Sequence, residues 1–503
     1  MELSQLADNL ALGLSVAGSF QNLFWCFVGA VVGTAVGVLP GLGPVATLAL
    51  LLPVTYYLPA EGALIMLAGI YYGSQYGGST TAILVNLPGE SSSVVTCLDG
   101  YQMALQGRAG PALAIAAIGS FFAGTVATIL IAVAAPPLTT LAQSFGPADY
   151  CSLMVFGLVT AIVMAQGSVL KAVSMIFFGL LLGIVGTDVN TGNLRYDFGI
   201  GILFDGINFV PIAMGVFGIN EIMANLTSKD RRDVISSKIS GLMPTWQDLK
   251  DSAGAILRGT ALGSLLGILP GGGALLSSFA SYSLEKKLSK TPEKFGTGMI
   301  QGVAGPESAN NAGAQTSFIP MLTLGIPSNA VMAMMVGGMM IHGIIPGPQV
   351  MTDKPGLFWG MIVSMWIGNA MLIVFNLPMV GVWVKLLTVP YRLLAVAILF
   401  FCCIGVYSVN NSAQEVLLIT GFGVLGYMLI KMGCEPAPML LGFILGPMME
   451  TYLRRAMLLS RGDPMVFLQR PLSLGFLIAA AVLLIIIMLP HVRSVREKAF
   501  VED

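Results

Sequence analysis

The sequence predicts an all-α polytopic membrane protein of about 10–14 transmembrane or re-entrant helices, with an inverted internal repeat and hairpins broken by Gly and Pro. Three observations predict it. Charged residues make up only 10% of the 503-residue chain and hydrophobic ones 55%, where a soluble domain carries roughly 25% charged residues. Apolar runs recur along the whole length, which many helices in a bilayer explain and one buried core does not. A block rich in Gly and Pro occurs twice.

The elements follow in order. Residues 1–20 hold Glu2 and Asp8 and no Lys or Arg. They are expected to form a short interfacial segment, because a cleavable signal peptide begins with positive charge. Apolar runs at 21–39, 44–58 and 61–87 fall in a first repeat region, 21–110. Runs at 111–135, 150–166, 168–186 and 198–221 fall in 111–224, which includes candidate scaffold. Residues 225–251 form a basic loop. Runs at 253–269, 274–284, 298–304 and 315–346 fall in a second repeat region, 252–350. Runs at 357–384, 390–408, 413–431 and 434–449 fall in 351–470, again with candidate scaffold, and 472–490 is the last helix of 471–503. Several runs are too short to span alone, and others are interrupted by Gly and Pro. Such breaks are tolerated in a membrane only where the backbone is buried in protein or lines a cavity.

Basic residues set the expected orientation. Lys229, Arg231, Arg232, Lys238 and Lys250 lie in one loop, and Lys286, Lys287, Lys290 and Lys294 in another. Arg454, Arg455, Arg461 and Arg470 follow, and Arg493, Arg496 and Lys498 lie in the tail. The positive-inside rule places all four groups, and so the C-terminus, in the cytoplasm. The first basic residue of the chain is Arg108, so nothing holds the flanks of the first repeat inside. The second copy lies between cytoplasmic loops. Opposite orientation of the two copies is the expectation.

The repeat itself reads GTAVGVLPGLG at 33–43 and GSLLGILPGGG at 263–273. Gly33, Gly37, Leu39, Pro40, Gly41 and Gly43 match Gly263, Gly267, Leu269, Pro270, Gly271 and Gly273 at a constant offset. A polar block follows each copy: GSQYGGSTT (73–81) and NLPGESSS (86–93) after the first, ESANNAGAQTS (307–317) and GIPSN (325–329) after the second.

Pro removes a backbone donor and Gly turns without a Cβ, so a helix stops at each block and another begins. Helix ends leave free N–H groups that attract anions and free C=O groups that suit cations. A carboxylate can thus be held by Gly41, Gly43, Gly271, Gly272 and Gly273. The alternative is that these glycines only let helices pack closely. Neutral donors can meet a polyanion's oxygens at low desolvation cost. Ser79, Thr80, Asn86, Asn310, Asn311, Thr316 and Ser328 are the candidate substrate ligands of this kind. Ser74, Gln75, Glu307 and Asn329 are the candidates for a coupling ion, Na⁺ or H⁺. Some of these side chains will only join helices. Intramembrane charge defaults to function. This marks Glu90 and Glu307, whereas Arg195 and Asp197, near Asp188 and Asp205, read better as a polar loop.

The composition also excludes. A net charge of −1 offers no field for nucleic acid. Six cysteines form no CxxC pair and are expected to be small core residues. His342 and His491 stand alone, which gives no metal signature. No cofactor is implied, and G-x-S-x-G, Walker A and H-E-x-x-H motifs are absent, so no catalytic residue is assigned.

The motifs GVLPGLGP (37–44), YYGSQYGGS (71–79), GILPGGG (267–273), GPESANNA (305–312), GIPSNA (325–330) and HGIIPGP (342–348) resemble the large membrane subunit of bacterial tripartite tricarboxylate transporters, the TctA family. The resemblance covers nearly the whole chain. It implies secondary-active import of a di- or tricarboxylate such as citrate across the bacterial inner membrane, driven by a Na⁺ or H⁺ gradient. It also implies two partners, a small TctB-like membrane subunit and a periplasmic TctC-like solute-binding protein. Analogy with related ion transporters implies an elevator motion, with both hairpins in the mobile domain. The rival expectations are a membrane-embedded enzyme and a passive anion channel.

Overall fold

The structure is a computed structural model and describes residues 3–39, 43–165, 168–188, 191–227, 241–269, 273–386 and 391–488. Most of the chain is helical. The one β ladder among the described residues pairs Gly186 with Arg195 and Thr187 with Leu194.

The principal helices are α1 (Leu3–Ala17), α2 (Phe20–Val38), α3 (Pro44–Thr55), α4 (Ala60–Val85), α5 (Ala109–Gln143), α6 (Pro147–Met164), α7 (Val169–Gly183), α8 (Phe209–Ala213) and α9 (Trp246–Ile268). There follow α10 (Gly273–Leu288), α11 (Gln301–Thr316), α12 (Phe318–Leu324), α13 (Ala330–Ile341), α14 (Pro355–Asn376), α15 (Tyr391–Asn410), α16 (Ala413–Lys431), α17 (Pro436–Leu459) and α18 (Pro471–Met488). Four of them, α2, α5, α14 and α16, are long and apolar enough to cross a membrane alone. Others, such as α3 and α13, are apolar but only 12 residues long.

Element boundaries differ from the apolar runs where polar residues are buried. The later part of the run expected at 298–304 opens α11, which carries the ESANNAGAQT segment through the interior. The run at 315–346 is two helices, α12 and α13, parted at Gly325–Asn329. The first part of the run at 198–221 is a loop and a short turn, and α8 starts only at Phe209. In each case hydropathy alone misplaces the boundary, because a membrane helix facing protein need not be apolar.

Two helix pairs pack through glycine. A Cβ added at Gly29, Gly33 or Gly37 of α2 would lie 2.3–2.4 Å from the carbonyl oxygen of Met66, Ile70 or Ser74 of α4. A Cβ at Gly259, Gly263 or Gly267 of α9 would lie 2.2–2.4 Å from the carbonyl oxygen of Gly305, Ala309 or Gly313 of α11. The backbones touch, as small residues allow in membrane bundles. In both pairs residue numbers rise together, so the two helices run parallel. The helix between them must therefore carry the chain back. α3 does this between α2 and α4, and α10 does it between α9 and α11. Contacts of α10 agree: Gly313 lies by Gly273 and Ser277, and Gly305 by Ser281 and Glu285.

A left-handed residue closes α4 of the first pair and α12, the helix that follows α11 of the second. Asn86 closes α4 with φ 58° and Gly325 closes α12 with φ 76°. Left-handed backbone at a helix end suits Gly and, less often, Asn. A Pro stands two residues after each, at Pro88 and Pro327. The units meet where Ser79 of α4 touches Glu307 of α11. One turn on, Gly100 sits between Ile83 of α4 and Val303 of α11, so these helices cross antiparallel.

Other helices surround this centre. α5 packs on α11, and α14 packs on both α4 and α5. α1, from the segment expected to be interfacial, packs on α14, with Gly13 against the Trp359 carbonyl. A second group consists of α6, α7, α17 and α18. The expected polar loop at 188–197 joins it through an ion network. Arg195 reaches Glu450 at 2.7 Å, and Arg454 reaches Asp188 at 2.7 Å and Glu450 at 2.6 Å. Of the cysteines, Cys26, Cys151 and Cys402 are buried as expected, Cys97 and Cys434 are half-buried, and Cys403 is exposed.

Candidate functional site

Glu307 is the centre of the polar interior. It is fully buried in the middle of α11. One carboxylate oxygen accepts from the Ser79 hydroxyl and, at 3.4 Å, from Nδ2 of Asn310. The other accepts from the Thr96 hydroxyl. Asn311 extends the network, its Nδ2 lying 2.6 Å from Asn310 Oδ1, 2.7 Å from Ser120 Oγ and 3.0 Å from the Glu307 carbonyl, with two hydrogens to share among them. Helical spacing puts Glu307, Asn310 and Asn311 on one face, since residues three and four apart are neighbours. α5 supplies Ser120, and the short helix Val94–Thr96 supplies Thr96.

A second polar knot lies beside the first hairpin. Glu90 precedes a 3-10 turn, Ser91–Ser93; its backbone carbonyl accepts from the Ser93 N–H at 3.1 Å and its own N–H donates to Ser93 Oγ at 3.4 Å. The Ser92 hydroxyl touches Glu90 and lies 2.9 Å from Gln75 Oε1. Gly89 approaches so closely that a Cβ there would lie 1.9 Å from the Gly37 carbonyl oxygen.

The remaining candidates fall into distinct positions. Ser74 returns its hydroxyl to the Tyr71 carbonyl at 2.7 Å, and Thr80 to that of Tyr76 at 3.2 Å. Thr316 bonds back to Ala312 at 3.0 Å. Such back-bonding satisfies a hydroxyl inside a membrane helix. Ser328 donates to the Ser317 carbonyl at 3.3 Å. Asn329 caps α13, accepting from Met332 N–H at 2.9 Å, and lies by Gly273, whose φ is +48°. Gly43 is the N-cap of α3, with open space where a Cβ would stand. Asn86 is exposed at the end of α4. Gly41, Gly271 and Gly272, with Pro40 and Pro270, lie outside the described residues, as do His491 and the basic tail.

The structure thus brings together Ser79, Glu307, Asn310 and Asn311, and separately Gln75 with Glu90. It adds Thr96, Ser120, Tyr76 and Asn376. Tyr76, Ser79, Thr80, Ser120 and Asn376 line a cleft between α4, α5 and α14. Tyr76 Oη and Asn376 Oδ1 are buried there with no hydrogen-bond partner among the described residues. A signal for these residues exists in the sequence: Ser120 and Asn376 are isolated polar residues in apolar runs. No cluster of three or more His, Cys, Asp or Glu side chains occurs among the described residues. The ligands on hand are hydroxyls, amides and single carboxylates, which suit a monovalent cation, a proton or an anion.

These features define a multi-pass helical membrane protein with an enclosed polar centre built from discontinuous helices. The particular family follows from comparison. The model of the tripartite tricarboxylate transporter TctA family matches residues 23–441, and the chain belongs to that family. It is 57% identical over 501 residues, the full length of both chains, to an uncharacterized 52.8 kDa protein in the TAR-I ttuC' 3' region of Agrobacterium vitis. It is 60% identical over 241 residues to an uncharacterized protein in the TAR-II ttuC' 3' region of the same organism, covering 48% of this chain and all of that one. No solved structure matches. The chain is therefore a membrane component of a transporter that works with partner subunits.

Proposed function

We propose that the chain is the secondary-active translocating subunit of a gradient-driven importer of a small di- or tricarboxylate, citrate-like in chemistry. It resides in the bacterial inner membrane with its C-terminus in the cytoplasm. A periplasmic TctC-like protein delivers substrate, and a small TctB-like membrane subunit completes the complex. The observation that carries the proposal is the buried meeting of α4 and α11, each braced by a parallel glycine-packed helix, at a carboxylate surrounded by hydroxyl and amide groups.

Supporting the repeat are the matched glycine contacts, the left-handed ends at Asn86 and Gly325, and the antiparallel crossing of α4 and α11. We infer an inverted repeat with two re-entrant hairpins, α2–α3 and α9–α10. Inverted repeats of discontinuous helices recur in transporters with a midplane site. An elevator motion of both hairpins past a scaffold fits this arrangement.

The test is uptake of labelled citrate, then of a dicarboxylate panel, by proteoliposomes holding the chain with its two partner subunits. Accumulation above equilibrium that collapses when the ion gradient is removed is the expected outcome. Equilibration without a gradient would instead establish a passive channel.

A further inference from the structure

Glu90 and Glu307 are both buried acids near the centre, but their surroundings differ. Glu90 opens the turn Ser91–Ser93, and its carboxylate is held by the Ser92 hydroxyl next to it in sequence. Glu307 opens no turn. No Lys, Arg or His is among the groups that touch it. We propose that Glu307 is the proton-carrying group of the transport cycle, and that the cleft between α4, α5 and α14 is its path to water. This deepens the transport reading and rests on it.

The first argument is a count of hydrogens. The Ser79 hydroxyl has one proton and two acceptors, the Gln75 carbonyl at 2.9 Å and Glu307. With Glu307 ionised, that one proton goes to the carboxylate, and the Gln75 carbonyl keeps only its helical N–H partner. With Glu307 protonated, its O–H donates to Ser79 Oγ, and Ser79 donates to Gln75. Thr96 and Asn310 then serve the carboxyl oxygens, and the carboxyl itself is satisfied with no net charge. An ionised carboxylate here would be an unpaired charge in a dry interior, among the most costly arrangements in a protein.

The second argument separates a proton from a metal cation. A cation ligand must present oxygen. Asn310 turns its N–H toward Glu307 and gives its oxygen to Asn311 at 2.6 Å. Asn310 thus offers Glu307 a donor, and only the two hydroxyls and the carboxylate itself remain as oxygen ligands for a Na⁺, fewer than a cation cage supplies.

The neighbouring charges agree. Facing Glu307 are Tyr76 from α4, Glu90 from before the Ser91–Ser93 turn and Cys97 from the adjoining π turn, none of them cationic. Asp99 is occupied by backbone N–H groups of Gly296, Gly298 and Met299 at 2.7–2.9 Å. Arg258 of α9 is paired with Glu285 of α10 at 2.7 Å. α5 carries no titratable side chain between residues 109 and 143.

The third argument is access. Ser79 both contacts Glu307 and lines the cleft. Tyr76 Oη and Asn376 Oδ1 face that cleft unpartnered, and buried groups of this kind hold ordered water. A hydronium ion in the cleft can pass a proton by way of Ser79. One O–H bond of hydronium breaks, one forms on Glu307, and water remains. Release on the other side reverses the step, so each cycle moves one proton.

The experiment uses the full complex in proteoliposomes and a carboxylate the wild type transports. Equal Na⁺ is kept on both sides, and a pH gradient, acidic outside, is imposed. Wild type should accumulate substrate, and its exchange of labelled for unlabelled substrate should vary with pH. In Glu307→Gln, pH-driven accumulation should fall by roughly tenfold or more. Its remaining exchange, at whatever rate, should be flat with pH, and Glu307→Asp should restore part of the response. Wild-type accumulation driven by Na⁺ and indifferent to pH would overturn the proposal while leaving transport intact. So would a Glu307→Gln variant that still responds to the pH gradient, or one that has lost exchange altogether. No carboxylate uptake under any gradient would count against the transport reading itself.

Discussion

Single residues at the ends of helices show how charge is settled outside the membrane. Asp248 closes a capping box with Thr245 at the start of α9 and pairs with Arg108. Burial opposes its ionisation, but hydrogen bonds from Thr245 and the Arg108 charge outweigh it and hold the carboxyl below its usual range. A depressed folded pKa stabilises the fold above the unfolded value of about 3.9. That contribution is lost as pH falls through the lower folded value. Asp248→Asn should therefore lower thermal stability at neutral pH, by about 1 kcal/mol if a typical cap is lost. The gap from wild type should close in strong acid. Unfolding followed in detergent across pH checks this, and a gap that persists in acid would assign the effect to packing. Arg108 is 40% exposed at its side chain, so the ion pair itself adds little. Glu307 is the opposite case, a carboxylate whose neighbours offer hydrogen bonds and no compensating charge.

At the scale of helices, glycine decides the contacts. α2 with α4 and α9 with α11 leave no room for a Cβ at the shared faces. Gly263→Ala would set a Cβ 2.2 Å from the Ala309 carbonyl oxygen. The helices would have to part, at a cost of about 1–3 kcal/mol, and substrate uptake should fall with stability. Gly421 of α16 is the control, because a Cβ there meets nothing within 4 Å. Gly421→Ala should be neutral or stabilising, since Ala is favoured over Gly in helices by about 0.5–1 kcal/mol. Equal effects of the two substitutions on melting temperature would mean that helix propensity, not close packing, explains the glycines. The breaks follow the same logic. Where Asn86 and Gly325 take left-handed backbone, the helix ends and the following Pro prevents its resumption.

For the whole molecule, the inferred inverted repeat predicts sidedness. Tyr57, after the first hairpin, is 63% exposed, and Leu288, at the end of the second, is 57% exposed. In a cysteine-free background, Tyr57→Cys should react with a membrane-impermeant maleimide added to intact spheroplasts. Leu288→Cys should react only after permeabilisation. Labelling of both from one side would rule out opposite orientations. The same scale shows how much was legible beforehand. The glycine frame, the breaks and the acidic and amide blocks were all visible as a repeated pattern. Thr96, Tyr76, Ser120 and Asn376 do not stand out together in the sequence, because each joins the centre through contacts between distant segments. α1 was legible only as a start without basic residues, since nothing local says that Gly13 fits against Trp359.

The sequence by itself determined the membrane class, the family and the places where helices break. These depend on composition and on residue types whose backbone effects are local: few charges, apolar runs, Gly and Pro. Only the tertiary structure decided that Ser79, Thr96 and Asn310 share one carboxylate, and that α4 and α11 cross antiparallel at that point. A hydroxyl in a membrane helix can bond back to its own turn or reach a neighbour, at similar cost. Ser74 does the first, and Ser79 is placed for both. Which one occurs depends on which helix lies alongside, and that is set by packing across hundreds of residues of chain.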